Sequence, residues 1–171
     1  IDNKNKILDN KNSEKLNITK GNIEFKNIKF RYSSSTTEVL NNINISVAGG
    51  EMTSLVGHSG AGKSTLINLI PRLYDRSSGD ILIDNQSIYT SKLSSLRGNI
   101  SLVSQDITLF DDTIKSNISY SKINASDDEI YEAARLSFCD DFIENLPEKY
   151  NTIIGENGFR LSGGEKQRLS I

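Results

Sequence analysis

The feature that most constrains this chain is a glycine-rich stretch between an apolar run and a helical pattern. Residues 57–65 read GHSGAGKST, and the run that ends at the first of these glycines, MTSLVG, is typical of a short buried strand. From Lys63 onward the apolar residues follow helical spacing, with Leu66, Ile67 and Ile70 on one face. The sequence therefore predicts a strand, a tight turn and a helix in succession.

Other segments predict more strands and another helix. Residues 23–32 and 39–47 alternate with the period of strands, and a break at Asn27 in the first of them indicates a bulge. Residues 78–84, SGDILID, predict another strand. Because strands and helical patterns alternate along the chain, the expected fold class is α/β.

Residues 126–138 are typical of an amphipathic helix. Ser126 is followed three residues later by Glu129, which is the pattern of a capping box. The apolar stripe expected for this helix consists of Ile130, Ala133, Ala134 and Phe138. Cys139 is the only cysteine, and we expect it to be a small buried side chain.

Composition limits the classes of protein to consider. Of the 171 residues, 36% are hydrophobic and 25% are charged, which fits one globular domain with a core. The formal net charge of -2 argues against nucleic acid as a partner. No apolar run reaches the roughly 18 residues that cross a bilayer, and we expect neither a membrane span nor a signal peptide. Residues 1–20 contain five Lys and five Asn and predict a flexible connector.

The glycine-rich stretch satisfies the pattern G-x-x-x-x-G-K-[ST] of phosphate-binding loops. Its glycines let backbone N–H groups face one centre, at the positive end of the following helix. We expect Lys63 to bridge the β- and γ-phosphates of a nucleotide, Ser64 to coordinate Mg²⁺ and Thr65 to donate near the α-phosphate. His58 has no second histidine with which to share a metal and is interpreted as a loop filler. The expected contacts of the nucleotide are Gly57, His58, Ser59, Gly60, Ala61, Gly62, Lys63, Ser64 and Thr65.

Later segments distinguish among the kinases, GTPases, motor proteins and transport ATPases that carry such a loop. Residues 161–171, LSGGEKQRLSI, resemble the signature motif of the ABC ATPase family, and residues 101–110, SLVSQDITLF, resemble its Q-loop region. Together with LIPRLYD and NTIIGENGFR, they look like the nucleotide-binding domains of exporters that handle lipids, drugs or peptides. The resemblance covers about residues 21–171.

This resemblance implies an ABC ATPase domain over residues 21–171, incomplete at its C-terminus, behind a connector from a membrane domain. Its implied parts are an N-terminal antiparallel β-subdomain, a parallel α/β core and a helical subdomain over about residues 106–160. The family pattern continues with a strand ending in Asp-Glu and with a switch histidine, and neither appears before Ile171. We therefore expect residues 1–171 alone to be nearly inactive as an ATPase, because the acid that activates the attacking water is missing.

The resemblance also assigns roles outside the phosphate loop. Tyr32 matches the A-loop aromatic, whose ring stacks on the adenine of ATP. Gln105 matches the Q-loop position that contacts Mg²⁺ and the attacking water. The expected catalytic residues are then Lys63 and Gln105, and the expected Mg²⁺ contacts are Ser64 and Gln105. A second backbone nest, expected to contact ATP on a partner domain, consists of Ser162, Gly163 and Gly164.

Two positions depart from the family pattern. Glu165 stands where glutamine is commoner, and its carboxylate near the second nest is expected to weaken domain closure slightly. Residues 155–158 read GENG, where exporters usually have an arginine after the glutamate. Glu156 still matches the segment that contacts the partner's membrane loops.

The function that the resemblance implies is the motor domain of a membrane exporter, in which ATP binding closes two domains and hydrolysis reopens them. The implied partners are a second ABC ATPase domain, arranged head to tail, and the transmembrane domain of the same transporter, at the cytoplasmic face of the inner membrane. A soluble ABC ATPase of DNA repair or translation is an alternative, although the TLFDDTI segment argues against it. A non-catalytic half of an asymmetric pair is the other alternative.

Overall fold

The computed structural model describes residues 7–104, 106–122 and 124–171. Gln105 lies outside these described residues. The chain divides into two compact units, residues Ile1–Ser101 and Leu102–Ile171. Across the described residues, no helix has the length and apolar character that a membrane crossing requires.

The first unit is built on a four-stranded antiparallel sheet in the order β2-β1-β3-β4. Its elements are β1 (Ile23–Phe30), β2 (Leu40–Val47), α1 (Lys63–Leu69), β3 (Ser78–Ile83), β4 (Gln86–Ser87) and α2 (Leu93–Arg97). The predicted bulge is confirmed: the pairing of β1 with β2 shifts between Phe25 and Ile28, and Asn27 has a φ of 51°. The two strands predicted by period-two alternation and the strand predicted over residues 78–84 are therefore present.

One apolar core joins the sheet to the two helices of this unit. Its fully buried members include Ile28 and Ile81 from the sheet, Leu69 from α1 and Leu96 from α2. The face expected for α1 is partly wrong, because Ile67 is 38% exposed whereas Leu69 is fully buried. A short helix with 3.6 residues per turn buries positions three apart, here 66 and 69, and turns residue 67 away.

The strand expected over residues 52–57 is not formed. The segment is exposed, with Met52 at 100% and Val56 at 93% relative exposure, and it pairs with none of the described strands. A strand needs a neighbour that takes its backbone hydrogen bonds and covers its side chains. An apolar run without such a neighbour remains exposed to solvent. The expected parallel core therefore does not appear among the described residues.

Residues 7–20 are attached to the first unit rather than free. Glu14 pairs with Ser91 in an isolated parallel bridge, and Leu16 is buried at 6% exposure. The Asp84 carboxylate accepts the backbone N–H groups of residues 19–22. The expectation of a flexible connector is therefore wrong for its described part, because polar composition did not reveal these tertiary hydrogen bonds. The link to a membrane domain stays a prediction.

The second unit is mainly helical. Its helices are α3 (Ile114–Ser119), α4 (Asp127–Leu136), α5 (Asp140–Glu144) and α6 (Gly163–Leu169), with 3₁₀ turns at Lys149–Asn151 and Glu156–Gly158. Its core consists of Leu109, Ile114, Ala134, Cys139, Ile143, Ile154, Leu161 and Leu169. Cys139 is fully buried, as predicted.

The capping box predicted for α4 is confirmed, since Ser126 and Glu129 each accept a backbone N–H of the other. The predicted stripe is wrong at two positions. Ala133 is exposed, because it lies about 100° around the helix from the buried Ala134. The side chain of Phe138 is 74% exposed, because the helix ends at Leu136 and Phe138 has a left-handed φ of 56°.

Candidate functional site

The phosphate-binding pattern forms a tight glycine turn that leads into α1. Gly60 and Gly62 have φ values of 80° and 84°, in the region that favours glycine, and Gly62 is the N-cap of the helix. The Ala61 N–H donates to the His58 carbonyl at 3.2 Å within the turn. The backbone angle favours glycine at the helix entrance, and a Cβ on Gly62 would lie 2.7 Å from Cδ2 of Leu40 and 3.3 Å from the Val39 carbonyl oxygen, so that the Leu40 side chain would have to move.

The Lys63 side chain folds back over this turn. Its ammonium donates to the carbonyl oxygens of Gly57 and His58, both at 2.8 Å. The first hydrogen bond of α1 is donated by the Leu66 N–H to the Gly62 carbonyl at 2.9 Å. The N–H groups of residues 63–65 precede that bond and lie at the positive end of α1. A fixed ammonium beside a group of backbone donors fits the oxygens of a polyphosphate.

The chemistry of the same turn fits Mg²⁺ only together with a phosphate. The Ser64 side chain is exposed in the first turn of α1 and offers one hydroxyl oxygen. The described residues contain no cluster of three His, Cys, Asp or Glu side chains that could hold a metal. Mg²⁺ commonly takes one or two protein oxygens and completes its shell with phosphate oxygens and water. Ser64 is suited to that arrangement.

His58 makes a local contact, since its Nδ1 lies 2.9 Å from the Ser59 carbonyl. The side chain is exposed. Its interpretation as a loop filler agrees with this position.

Tyr32 lies next to the phosphate loop, in a cluster of three aromatic rings at the end of β1. Its ring makes edge contacts with Phe30 at 4.8 Å and with Tyr74 at 5.2 Å between centroids. The Tyr32 hydroxyl lies 2.9 Å from Oγ1 of Thr65 in α1. The structure thus brings together the predicted adenine contact and the predicted phosphate contacts. The Tyr32–Thr65 bond itself was not predicted, and no local sequence pattern signals a contact between residues 33 positions apart.

The second predicted nest stands at the start of α6. Ser162 is the N-cap, and Ser162, Gly163 and Gly164 are exposed. Oε2 of Glu165 accepts both the N–H and the hydroxyl of Ser162 at 2.7 Å. These bonds, led by the side chain of Ser162, hold the pKa of Glu165 below its usual range. The sequence S-G-G-E has the capping-box spacing, which could have revealed this partner of Ser162.

The role of Gln105 as a contact of Mg²⁺ and water stays a prediction. Its neighbours Ser104 and Asp106 line a cleft of ≈ 460 Å³ with Gly163, Lys166 and Gln167. The chain on either side of the predicted Q-loop residue is therefore close to α6 within this unit.

Comparison with known proteins agrees with this geometry. A family model described as ABC transporter matches residues 40–171. The "Uncharacterized ABC transporter ATP-binding protein YwjA" of Bacillus subtilis (strain 168) is 47% identical over 165 residues, which are 96% of this chain and 28% of that protein. The "Putative multidrug export ATP-binding/permease protein SAV1866" of Staphylococcus aureus (strain Mu50 / ATCC 700699) is 48% identical over 159 residues, or 93% of this chain and 28% of that protein.

A solved structure is also similar. "Structure of a bacterial Atm1-family ABC exporter with ATP bound" has a TM-score of 0.94 and 41% identity, and the match covers 99% of this chain and 29% of that chain. This chain thus spans less than a third of the length of these relatives. The expected fold class, an α/β domain of the ABC ATPase type with an antiparallel sheet and a helical part, is confirmed. On the family match and these identities, the chain belongs to the ABC transporter family and is homologous to the ATP-binding domains of its exporters.

Proposed function

We propose that residues 1–171 belong to the motor domain of a membrane exporter, which binds and hydrolyses ATP. The observation that carries this proposal is the Lys63 ammonium, held by the Gly57 and His58 carbonyls at 2.8 Å beside the N-terminus of α1. A cation fixed beside backbone donors is a preorganised cradle for the β- and γ-phosphates.

We assign the other residues of the site to different parts of the nucleotide. Ser64 would hold Mg²⁺ together with the phosphates, and the ion supplies charge neutralisation between the β- and γ-oxygens. Thr65 lies on the α-phosphate side. The Tyr32 ring, close to Thr65, offers an aromatic face to adenine.

Hydrolysis requires groups beyond this cradle. We propose Gln105 as the residue that contacts Mg²⁺ and positions the attacking water. By resemblance, the acid that activates this water follows a later strand of the family pattern. Residues 1–171 alone should then bind ATP and hydrolyse it at least about a hundredfold more slowly than the complete gene product.

The exposed nest of Ser162, Gly163 and Gly164 supports a second ABC ATPase domain as partner. In a head-to-tail pair this nest would contact the γ-phosphate held by the loop of the other ATPase domain. The names of the relatives, one an ATP-binding/permease protein and one an exporter with ATP bound, support a transmembrane domain as the second partner. Such a motor works at the cytoplasmic face of the inner membrane, and its cargo would be a lipid, a drug or a peptide.

ATP hydrolysis tests the proposal. The rate is measured for the complete gene product that contains this chain and for residues 1–171, each with Lys63 intact and as Lys63→Ala. We expect Lys63-dependent hydrolysis by the complete product alone. Equal rates in both forms would place the activating acid within these residues, and a complete product without Lys63-dependent hydrolysis would contradict the motor function.

A further inference from the structure

The Tyr32 hydroxyl contacts the phosphate side of the site as well as offering a ring to the base. It lies 2.9 Å from Oγ1 of Thr65, the residue directly after Ser64 of the phosphate-binding pattern. Either hydroxyl could donate in this bond. We infer that the Tyr32 O–H donates to Thr65 Oγ1 and directs the Thr65 proton toward a phosphate oxygen, which makes Tyr32 a positioning residue for phosphate binding. This inference rests on the proposed function.

The hydroxyl chemistry of Thr65 supports this direction. A threonine hydroxyl accepts hydrogen bonds through its lone pairs and donates one proton. If Tyr32 fills an acceptor position, the Thr65 proton is left for another acceptor. A helical threonine otherwise tends to donate that proton to the carbonyl four residues earlier, here Ala61. Two hydroxyls in series also polarise each other, which strengthens the terminal donor.

Burial and position make the contact effective. Thr65 is 6% exposed in the first turn of α1, and its N–H is among those that precede the first helical bond. Its side chain therefore has little freedom to leave Tyr32. Fixing that side chain also fixes the turn that carries the Lys63 and Ser64 side chains, which we assign to the phosphates and Mg²⁺.

The tyrosine is itself held in place. Its ring meets Phe30 at an interplanar angle of 85° and Tyr74 at 88°. Two edge contacts of this kind define the ring orientation before any base is present. The hydroxyl can therefore act on Thr65 even when the ligand has no base, which separates this role from stacking.

The test uses a ligand without adenine. Binding of inorganic tripolyphosphate and of ATP, both with Mg²⁺, is measured on the complete gene product as wild type, Tyr32→Phe, Thr65→Val, the double variant and Tyr74→Phe. Tyr32→Phe keeps the ring and removes only the hydroxyl. Tyr74→Phe is the matched control, since the structure shows no hydrogen bond of the Tyr74 hydroxyl among the described residues. Melting temperatures report whether each variant is folded.

We expect Tyr32→Phe to weaken the binding of tripolyphosphate and of ATP by a similar factor, about three- to tenfold, which is the effect of one hydrogen bond. The double variant should bind no more weakly than Thr65→Val, because both changes remove the same contact. Tyr32→Phe with wild-type affinity for tripolyphosphate, or effects of the two changes on ATP that simply add, would overturn the inference. Wild-type protein that binds tripolyphosphate and ATP no more tightly than a Lys63→Ala variant measured beside it would instead overturn the proposed function.

Discussion

The Ser162 hydroxyl lies 2.7 Å from Oε2 of Glu165, and the Glu165 N–H in turn lies 3.4 Å from Ser162 Oγ. This reciprocal pair closes the first turn of α6 within the motif that resembles the family signature. The glutamate that departs from the commoner glutamine is thus bonded to the serine expected to contact ATP on a partner domain. A phosphate that binds Ser162 has to compete with this carboxylate for the hydroxyl proton.

The first prediction concerns the stability of this cap. Ser162→Ala should lower the free energy of unfolding by about 1 kcal/mol, since it removes the acceptor of an N-cap. Glu165→Gln should lower the free energy of unfolding by less than Ser162→Ala does, because an amide oxygen can still accept the Ser162 N–H. Denaturant unfolding followed by circular dichroism measures both changes. Glu148→Gln, at an exposed position of the same unit, is the control and should have no effect.

The pH dependence of this cap follows from the sign of the pKa shift. The pKa of Glu165 is lower in the folded chain than the usual value of about 4.3. The ionised carboxylate therefore contributes fully to the free energy of unfolding above that value, and this contribution is lost as the pH falls through the pKa of the folded chain. The stability difference between wild type and Glu165→Gln should narrow below about pH 4. A difference that is constant between pH 7 and pH 3 would contradict the assigned hydrogen bonds.

The second prediction concerns the attachment of the N-terminal segment. Oδ2 of Asp84 accepts the N–H groups of Thr19, Lys20 and Gly21 at 2.7, 2.9 and 3.0 Å, and these bonds hold the pKa of Asp84 well below its usual range. Asp84→Asn should increase hydrogen exchange at the amides of residues 19–22. In wild type the protection factors of the same amides should begin to fall as the pH drops below about 3.9 and should go on falling toward the depressed pKa of folded Asp84, because the detached carboxylate takes up a proton first. Amides of β2 serve as the internal control, and unchanged exchange at residues 19–22 would contradict the prediction.

The third prediction compares two glycines of the phosphate loop. Both have a left-handed backbone, so alanine at either position costs about 1 to 2 kcal/mol. A Cβ on Gly62 would also lie 2.7 Å from Leu40 Cδ2, whereas a Cβ on Gly60 would have no atom within 4 Å. Gly62→Ala should therefore destabilise the first unit more than Gly60→Ala, as measured by denaturant unfolding. Equal losses in the free energy of unfolding for the two variants would contradict a close contact between residue 62 and Leu40.

The local patterns of the sequence were sufficient for elements whose partners are close in the chain. The bulge at Asn27 and the box of Ser126 and Glu129 were predicted because each depends on a few neighbouring residues. The run of residues 52–57 was misassigned for the opposite reason. Apolar residues show that a segment can be buried, but they do not show which neighbour covers it. Phe138 was likewise wrongly assigned to the buried stripe of α4, because the helix ends earlier than the apolar spacing predicts.

The candidate site shows the same division. The glycine turn and Lys63 were predicted by one short pattern, since the conformation and the chemistry are both local. Two contacts could not be predicted, the Tyr32 bond to Thr65 and the Asp84 bonds to residues 19–22. Both join residues more than thirty positions apart: the first depends on the packing of α1 in the same core as the sheet, and the second on the pairing of β1 with β3.

The measurement that tests the central claim most directly is equilibrium binding of Mg²⁺-ATP to the complete gene product that contains this chain. Lys63→Ala removes the ammonium that lies 2.8 Å from the Gly57 carbonyl, and it should weaken binding by about ten- to a hundredfold, as expected for a lost hydrogen bond to a charged group. Lys15→Ala, at an exposed lysine of the same unit, should bind ATP like wild type. Binding by Lys63→Ala that equals wild type would contradict the assignment of residues 57–65 as the phosphate site.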